Sequence, residues 1–159
     1  MLVVIGCGNA NRSDDGVGVF VAQALQAWLH ERPRARDDVR VFDAGTAGMD
    51  VMFQARGARK LVIVDASTSD SPAGAIFEVP GEILARPHAP SFSLHDFRWD
   101  HALAAGRRIF RDQFPSDVSV YLIEARSLDL GLELSAPVLA SAHQVVAQLK
   151  QAIDEYTGD

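Results

Sequence analysis

The chain has 159 residues, 48% of them hydrophobic and 23% charged, with a formal net charge of -6 at pH 7. That size favours one domain over 1–159 with a core of its own, and the acidic balance argues against nucleic acid or an anionic membrane surface as the main partner. No apolar run approaches the roughly 20 residues of a membrane span, the N-terminus has no signal-peptide pattern, and a single cysteine fits a reducing cytoplasm.

Leu2–Ile5 predicts a buried strand, too short and too β-branched for a helix. It runs into "GCGNANRSDDGVG" (Gly6–Gly18), where Cys7 reads as a small buried filler. A helix is expected from about Asp14 to Leu29, with Val17, Val21, Leu25 and Trp28 on one stripe. A charged loop, Glu31–Asp38, leads to a second strand, Val39–Phe42, ending at Asp43. "AGTAG" follows, then a short helix carrying Met49, Met52 and Phe53. The third strand, Leu61–Val64, ends at Asp65. The polar loop beyond it is too short for a parallel crossover, so strand Ala75–Val79 is expected antiparallel to the third. After a Pro-rich loop, Pro80–Pro90, come a helix from about Leu94 to Phe114 and a strand, Val118–Ile123. A C-terminal helix from about Ala136, striped by Leu139, Ala142, Val146, Leu149 and Ile153, completes the chain.

Alternating strands and helices, with strands that are almost wholly apolar, indicate an α/β sandwich around a mostly parallel sheet. Ligands in such sheets bind outside the carboxyl ends of the strands. Asp43 and Asp65 stand directly after strands, and Asp15 lies in the loop beyond the first, so three carboxylates are aimed at one edge.

A dinucleotide site fits poorly. "GCGNAN" supplies two glycines of Gly-x-Gly-x-x-Gly, but Asn11 takes the third place, and Asp14 and Asp15 would repel a pyrophosphate at the helix N-terminus. Helix capping accounts for one of those two carboxylates and leaves the other beside open glycine backbone. "SLHD" (Ser93–Asp96) has the pattern of a capping box, with Ser93 as N-cap and His95 in the first turn. His95, Trp99, Leu103, Gly106 and Phe110 then share the face that packs on the sheet. The positive end of the helix favours neutral imidazole there, the form that a metal ligand or general base requires. A hydrogen-bonded histidine at the core's edge is the plainer reading of His95 alone; His30, His88, His101 and His143 read as surface or loop residues. Asp15, Asp65 and His95 together make a carboxylate–carboxylate–imidazole set suited to a borderline divalent ion such as nickel or zinc.

These motifs resemble the hydrogenase maturation endopeptidases, which process the large subunit of [NiFe] hydrogenases. The resemblance rests on "GCGNANRSDDGVG", "DAGTAGM" (Asp43–Met49), "LVIVDAS" (Leu61–Ser67), "SLHDF" (Ser93–Phe97) and "LGLELSAPV" (Leu130–Val138), in the family's order over most of the chain. It implies a three-layer α/β/α fold with a mixed five-stranded sheet in which one strand is antiparallel. It also implies one cut, removing the C-terminal extension of the precursor after nickel insertion. The family's nickel-sensing and catalytic positions carry over onto Asp15, Asp65 and His95, although the family often has Glu where Asp15 stands. Gly8, Asn9, Asp43, Gly45 and Thr46 are then expected along the substrate's extended backbone, held as in strand addition. Nickel is expected to arrive with the substrate, and the protease to act as a monomer. Whether the ion or a carboxylate does the chemistry stays open. A non-catalytic nickel-sensing chaperone and a nucleotide-binding oxidoreductase remain as alternatives.

Overall fold

A computed structural model describes residues 1–85 and 98–158. The strands are β1 (Leu2–Cys7), β2 (Val39–Gly45), β3 (Lys60–Ser67), β4 (Ile76–Pro80) and β5 (Asp117–Glu124). The helices are α1 (Val17–His30), α2 (Ala35–Asp38), α3 (Gly48–Ala55), α4 (Gly81–Leu84), α5 (Trp99–Phe110) and α6 (Ala136–Thr157), and Ser13–Gly16 forms a 3-10 turn before α1. The five strands make one sheet in the order β2-β1-β3-β5-β4, parallel except for β4. The expected mixed α/β sheet with one antiparallel strand is therefore present.

Side chains alternate across the sheet, as the pleat requires. Leu2, Val4, Val62 and Val64 join one core with α1 and α6, while Val3, Ile5, Cys7, Leu61 and Ile63 join the other with α3 and α5. Cys7 is the buried filler expected. From β1 the chain adds β2 on one side and then returns to add β3 on the other. The crevice at the carboxyl ends of β1 and β3 is thus the point where strand order reverses, the position favoured for ligands in open α/β sheets. Among the described residues, no helix is long and apolar enough to cross a membrane.

Several local expectations are corrected. β3 extends to Ser67, so Asp65 lies inside the strand rather than after it. β4 runs antiparallel to β3 in direction, but its hydrogen-bonded neighbour is β5, which inserts between them. The short polar loop reaches across because β4 is half-exposed and suited to an edge, whereas β5 is largely buried. On α3 the buried side chains include Val51, Met52 and Ala55; Met49 and Phe53 are exposed. On α6 Val138 and Val145 take the inward places, and Leu139 is exposed. Trp28 sits at the core's margin with the guanidinium of Arg32 stacked on its ring, and Leu29 takes the buried place. α5 starts only at Trp99, with Arg98 extended, so no helix runs through from Leu94; the Ser93–Asp96 cap lies outside the described residues.

Candidate functional site

The site is built on the exits of β1 and β3. At the end of β1 the register against β2 slips by one residue: Gly6 faces Asp43, but Cys7 faces Gly45. This bulge re-aims both strand ends at the sheet's carboxyl edge. Gly8 follows with φ +124, and a Cβ there would lie 1.8 Å from the carbonyl oxygen of Asp15. Only glycine lets the loop fold back so closely. The return delivers Asp15 beside the end of β3: that same Cβ position is 3.5 Å from Oδ1 of Asp65. Asp15 and Asp65 accordingly line one cleft of about 210 Å3, with Cys7, Gly8, Thr46 and Trp99 among its other walls. A second cleft of about 400 Å3 adjoins it, sharing Asp15, Arg98 and Trp99.

Asp65 is buried yet fully engaged. Its Oδ1 accepts the N–H of Ala66 at 2.8 Å, and its Oδ2 accepts Trp99 Nε1 at 2.7 Å and Arg98 Nη2 at 3.2 Å. Burial pushes its carboxyl above the ordinary carboxylate range, the Trp99, Arg98 and Ala66 donors pull the other way, and the nearby charge of Asp15 adds to the rise. Burial and then Asp65 also push the Cys7 thiol well up, which keeps it protonated and removes it as a nucleophile.

The two neighbouring aspartates of the first motif have separate duties. Oδ2 of Asp15 accepts the N–H of Asn9 at 3.0 Å, which leaves the carboxylate on the cleft wall. Asp14 points away into the 126–135 loop. It receives the N–H groups of Arg126, Ser127 and Ser135 and the Ser135 hydroxyl, at 2.7–3.1 Å. Asp14 is therefore turned from the cleft and locks the first motif to the segment preceding α6.

Three residues of the expected substrate set already have acceptors for their backbone N–H groups within the chain. The N–H of Gly8 donates to Gly45 O at 2.8 Å, that of Asn9 to Asp15, and that of Gly45 to Asp43 Oδ1 at 3.0 Å. These donors shape the cleft instead of facing it. Asp43 and Thr46 remain exposed, Thr46 on the cleft wall.

A family model described as hydrogenase maturation protease matches residues 19–152. The chain belongs to that family. It is 27% identical over 155 residues to the hydrogenase 2 maturation protease of Escherichia coli K12, covering 97% of this chain and 91% of that one. It is 28% identical over 148 residues to the hydrogenase expression/formation protein HupM of Azotobacter chroococcum, covering 92% and 68%. Among solved structures, the hydrogenase maturating endopeptidase HybD of E. coli superposes with a TM-score of 0.74 over 98% of this chain and 93% of its own, at 24% identity, a likeness of fold.

In this maturation protease, sequence reasoning picked out Asp15 and Asp65, and the fold brings both to one cleft. His95 lies outside the described residues, and among those described no three His, Cys, Asp or Glu side chains cluster tightly enough for one ion. The cleft's described donors for a cation are the carboxylate oxygens of Asp15 and Asp65. What the sequence reading missed is the pair holding Asp65. Trp99 was visible as an inward-facing residue, and a buried indole N–H needs an acceptor; Arg98 carried no signal.

Proposed function

We propose that this maturation protease is an endopeptidase that removes the C-terminal extension of a [NiFe] hydrogenase large-subunit precursor once nickel is in place. The observation that carries the reading is Asp15 and Asp65 on one cleft at the reversal point of the sheet. Asp15 and Asp65, with His95, hold the nickel that the precursor presents, and so dock the scissile bond against the cleft. Bound there, the ion supplies polarisation of the substrate carbonyl. A carboxylate of the Asp15–Asp65 pair takes the proton from the attacking water. Thr46 is the member of the expected substrate set that we assign to direct contact; Gly8, Asn9 and Gly45 shape the wall.

The test mixes nickel-loaded precursor with the protein and follows mass. One cut releasing the C-terminal extension is expected, and Asp65→Asn and His95→Ala should slow it by at least about a hundredfold, the range lost with an essential general base. Wild-type cutting by either folded variant would remove the assignment. A precursor that is bound but never cut would leave a non-catalytic, nickel-sensing chaperone as the function.

A further inference from the structure

Asp65 reaches no solvent cation, yet it is not without one. Its side chain is 4% exposed, and the guanidinium on its Oδ2 belongs to Arg98, whose side chain is 65% exposed. The other two ion pairs among the described residues, Arg32–Asp154 and Lys60–Asp117, have both partners more than a third exposed. The Arg98 pair is the asymmetric one: a buried carboxylate held by an arm lying in solvent.

We infer that Arg98 is a placeholder cation, which fills Asp65 in the free protein and must be exchanged for a metal ion that the precursor already holds. This rests on the function proposed above. A buried carboxylate needs a compensating charge, so Asp65 without metal needs Arg98. A metal ion on Oδ2 needs the lone pair that Arg98 occupies and repels the guanidinium at the same point. Trp99 has no such conflict. Its indole N–H is neutral, and its ring is buried in the core on the α3 and α5 side. Arg98 alone can leave, since its arm lines both clefts and swings into solvent without opening the core. The exchange is cation for cation, so the buried carboxylate is never left alone. A free hydrated ion meets only the fraction of molecules with Arg98 displaced, which weakens its apparent affinity by that fraction. An ion held in a docked precursor is helped by every other contact of the complex. Arg98 thereby separates delivered metal from free metal and is a specificity-determining residue.

The test titrates nickel(II) alone into the metal-free, full-length protein by calorimetry. Trp99 emission is read in parallel in a Trp28→Phe background, where it is the remaining tryptophan. Arg98→Met keeps the stem and removes the charge; Arg98→Gln repeats this with a polar side chain, and circular dichroism checks both folds. Each neutral variant is expected to bind nickel about tenfold more tightly than wild type, the scale of losing one competing charged hydrogen bond. Arg98→Lys should stay as weak as wild type. Adding Asp65→Asn to Arg98→Met should erase the gain together with the change in Trp99 emission. Unchanged affinity in the neutral variants, equal tightening in Arg98→Lys, or a gain that survives Asp65→Asn would each overturn the inference. Precursor cleavage is scored separately: an uncut nickel-loaded precursor defeats the proposed function, whereas normal cleavage without tightening defeats the placeholder alone.

Discussion

Asp14 and Asp65 are both buried, but their surroundings drive their carboxyl groups in opposite directions. For Asp14 burial alone would raise the proton affinity; the Ser135, Arg126 and Ser127 donors outweigh it, and the group titrates below the ordinary range. For Asp65 burial wins over Trp99 and Arg98, and the group titrates above it. The linkage signs follow. A depressed carboxyl adds stability that is present above the unfolded value near 4 and is lost as pH falls through the folded one. A raised carboxyl binds more protons folded than unfolded between its two values, so stability falls as pH rises through that window and stays reduced above it. Asp14→Asn should therefore destabilise by about 2–4 kcal/mol at pH 7, because its amide sets N–H groups against buried donors. The deficit should shrink as pH falls below about 4, where the unfolded chain's Asp14 protonates first, down to the lower folded value. Asp65→Asn also turns an amide N–H toward a donor, Ala66 or Trp99, but it removes a carboxyl whose raised proton affinity costs stability at pH 7, so it should destabilise less than Asp14→Asn while losing activity. Urea midpoints at pH 7 and pH 3 check both, and an Asp65→Asn protein less stable at pH 7 than Asp14→Asn would refute this account. The sequence "DD" cannot show which aspartate faces the cleft, since a single step of the 3-10 turn decides it, and the deciding donors lie more than a hundred residues away in Arg126, Ser127 and Ser135.

Among elements, the passage from β1 to α1 sets the site's geometry. A Cβ on Gly18 would lie 2.2 Å from Val64 O and 2.3 Å from Cys7 O, so α1 rests directly on the backbones of β3 and β1. That contact holds the Asp15 turn, which immediately precedes α1, over the strand ends. Gly18→Ala cannot be absorbed by a side-chain rotation, because the clash is with carbonyl oxygens on two strands. It should cost about 3 kcal/mol and slow cleavage in the molecules that remain folded, by moving Asp15 from Asp65. A Tm within a degree of wild type would show that the helix shifts freely. Strand identity and helix order were legible because buried strands are continuous apolar runs and α1 repeats on a 3.6-residue stripe. The stripes failed where two phases fit equally well. Of the three apolar residues named on α3, Met52 is buried, whereas Phe53 lies on the open side, its ring edge-on to Phe110 at 5.8 Å. The start of α5 was misjudged because a serine cap pattern in sequence does not exclude a later start, and Arg98 is extended. β4 was placed by loop length, which fixes strand direction but not the neighbour, and β5 comes later in the chain.

At the scale of the molecule, the two adjoining clefts, of about 400 and 210 Å3, open on one edge of the sheet. That volume holds a few residues of extended chain, and the backbone N–H groups of Gly8, Asn9 and Gly45 around it already donate within the chain. A short peptide gains little from such a surface, because strand addition relies on free main-chain groups at the edge. Under the proposed function, the precursor's affinity comes instead from an ion bridging to Asp15 and Asp65 and from contacts that the folded partner makes beyond the cleft. A synthetic peptide spanning the cleavage junction carries neither. It should be cut at less than about one hundredth of the rate of the nickel-loaded precursor, the factor that about 2.7 kcal/mol of absent binding energy gives. Free nickel or zinc added with the peptide should not restore the rate, because the bridging ion must be fixed relative to the scissile bond. Single-turnover kinetics on peptide, peptide with metal, metal-free precursor and loaded precursor separate these contributions. A peptide cut as fast as the loaded precursor would mean that the cleft recognises sequence directly and that neither the ion nor the folded subunit contributes to docking.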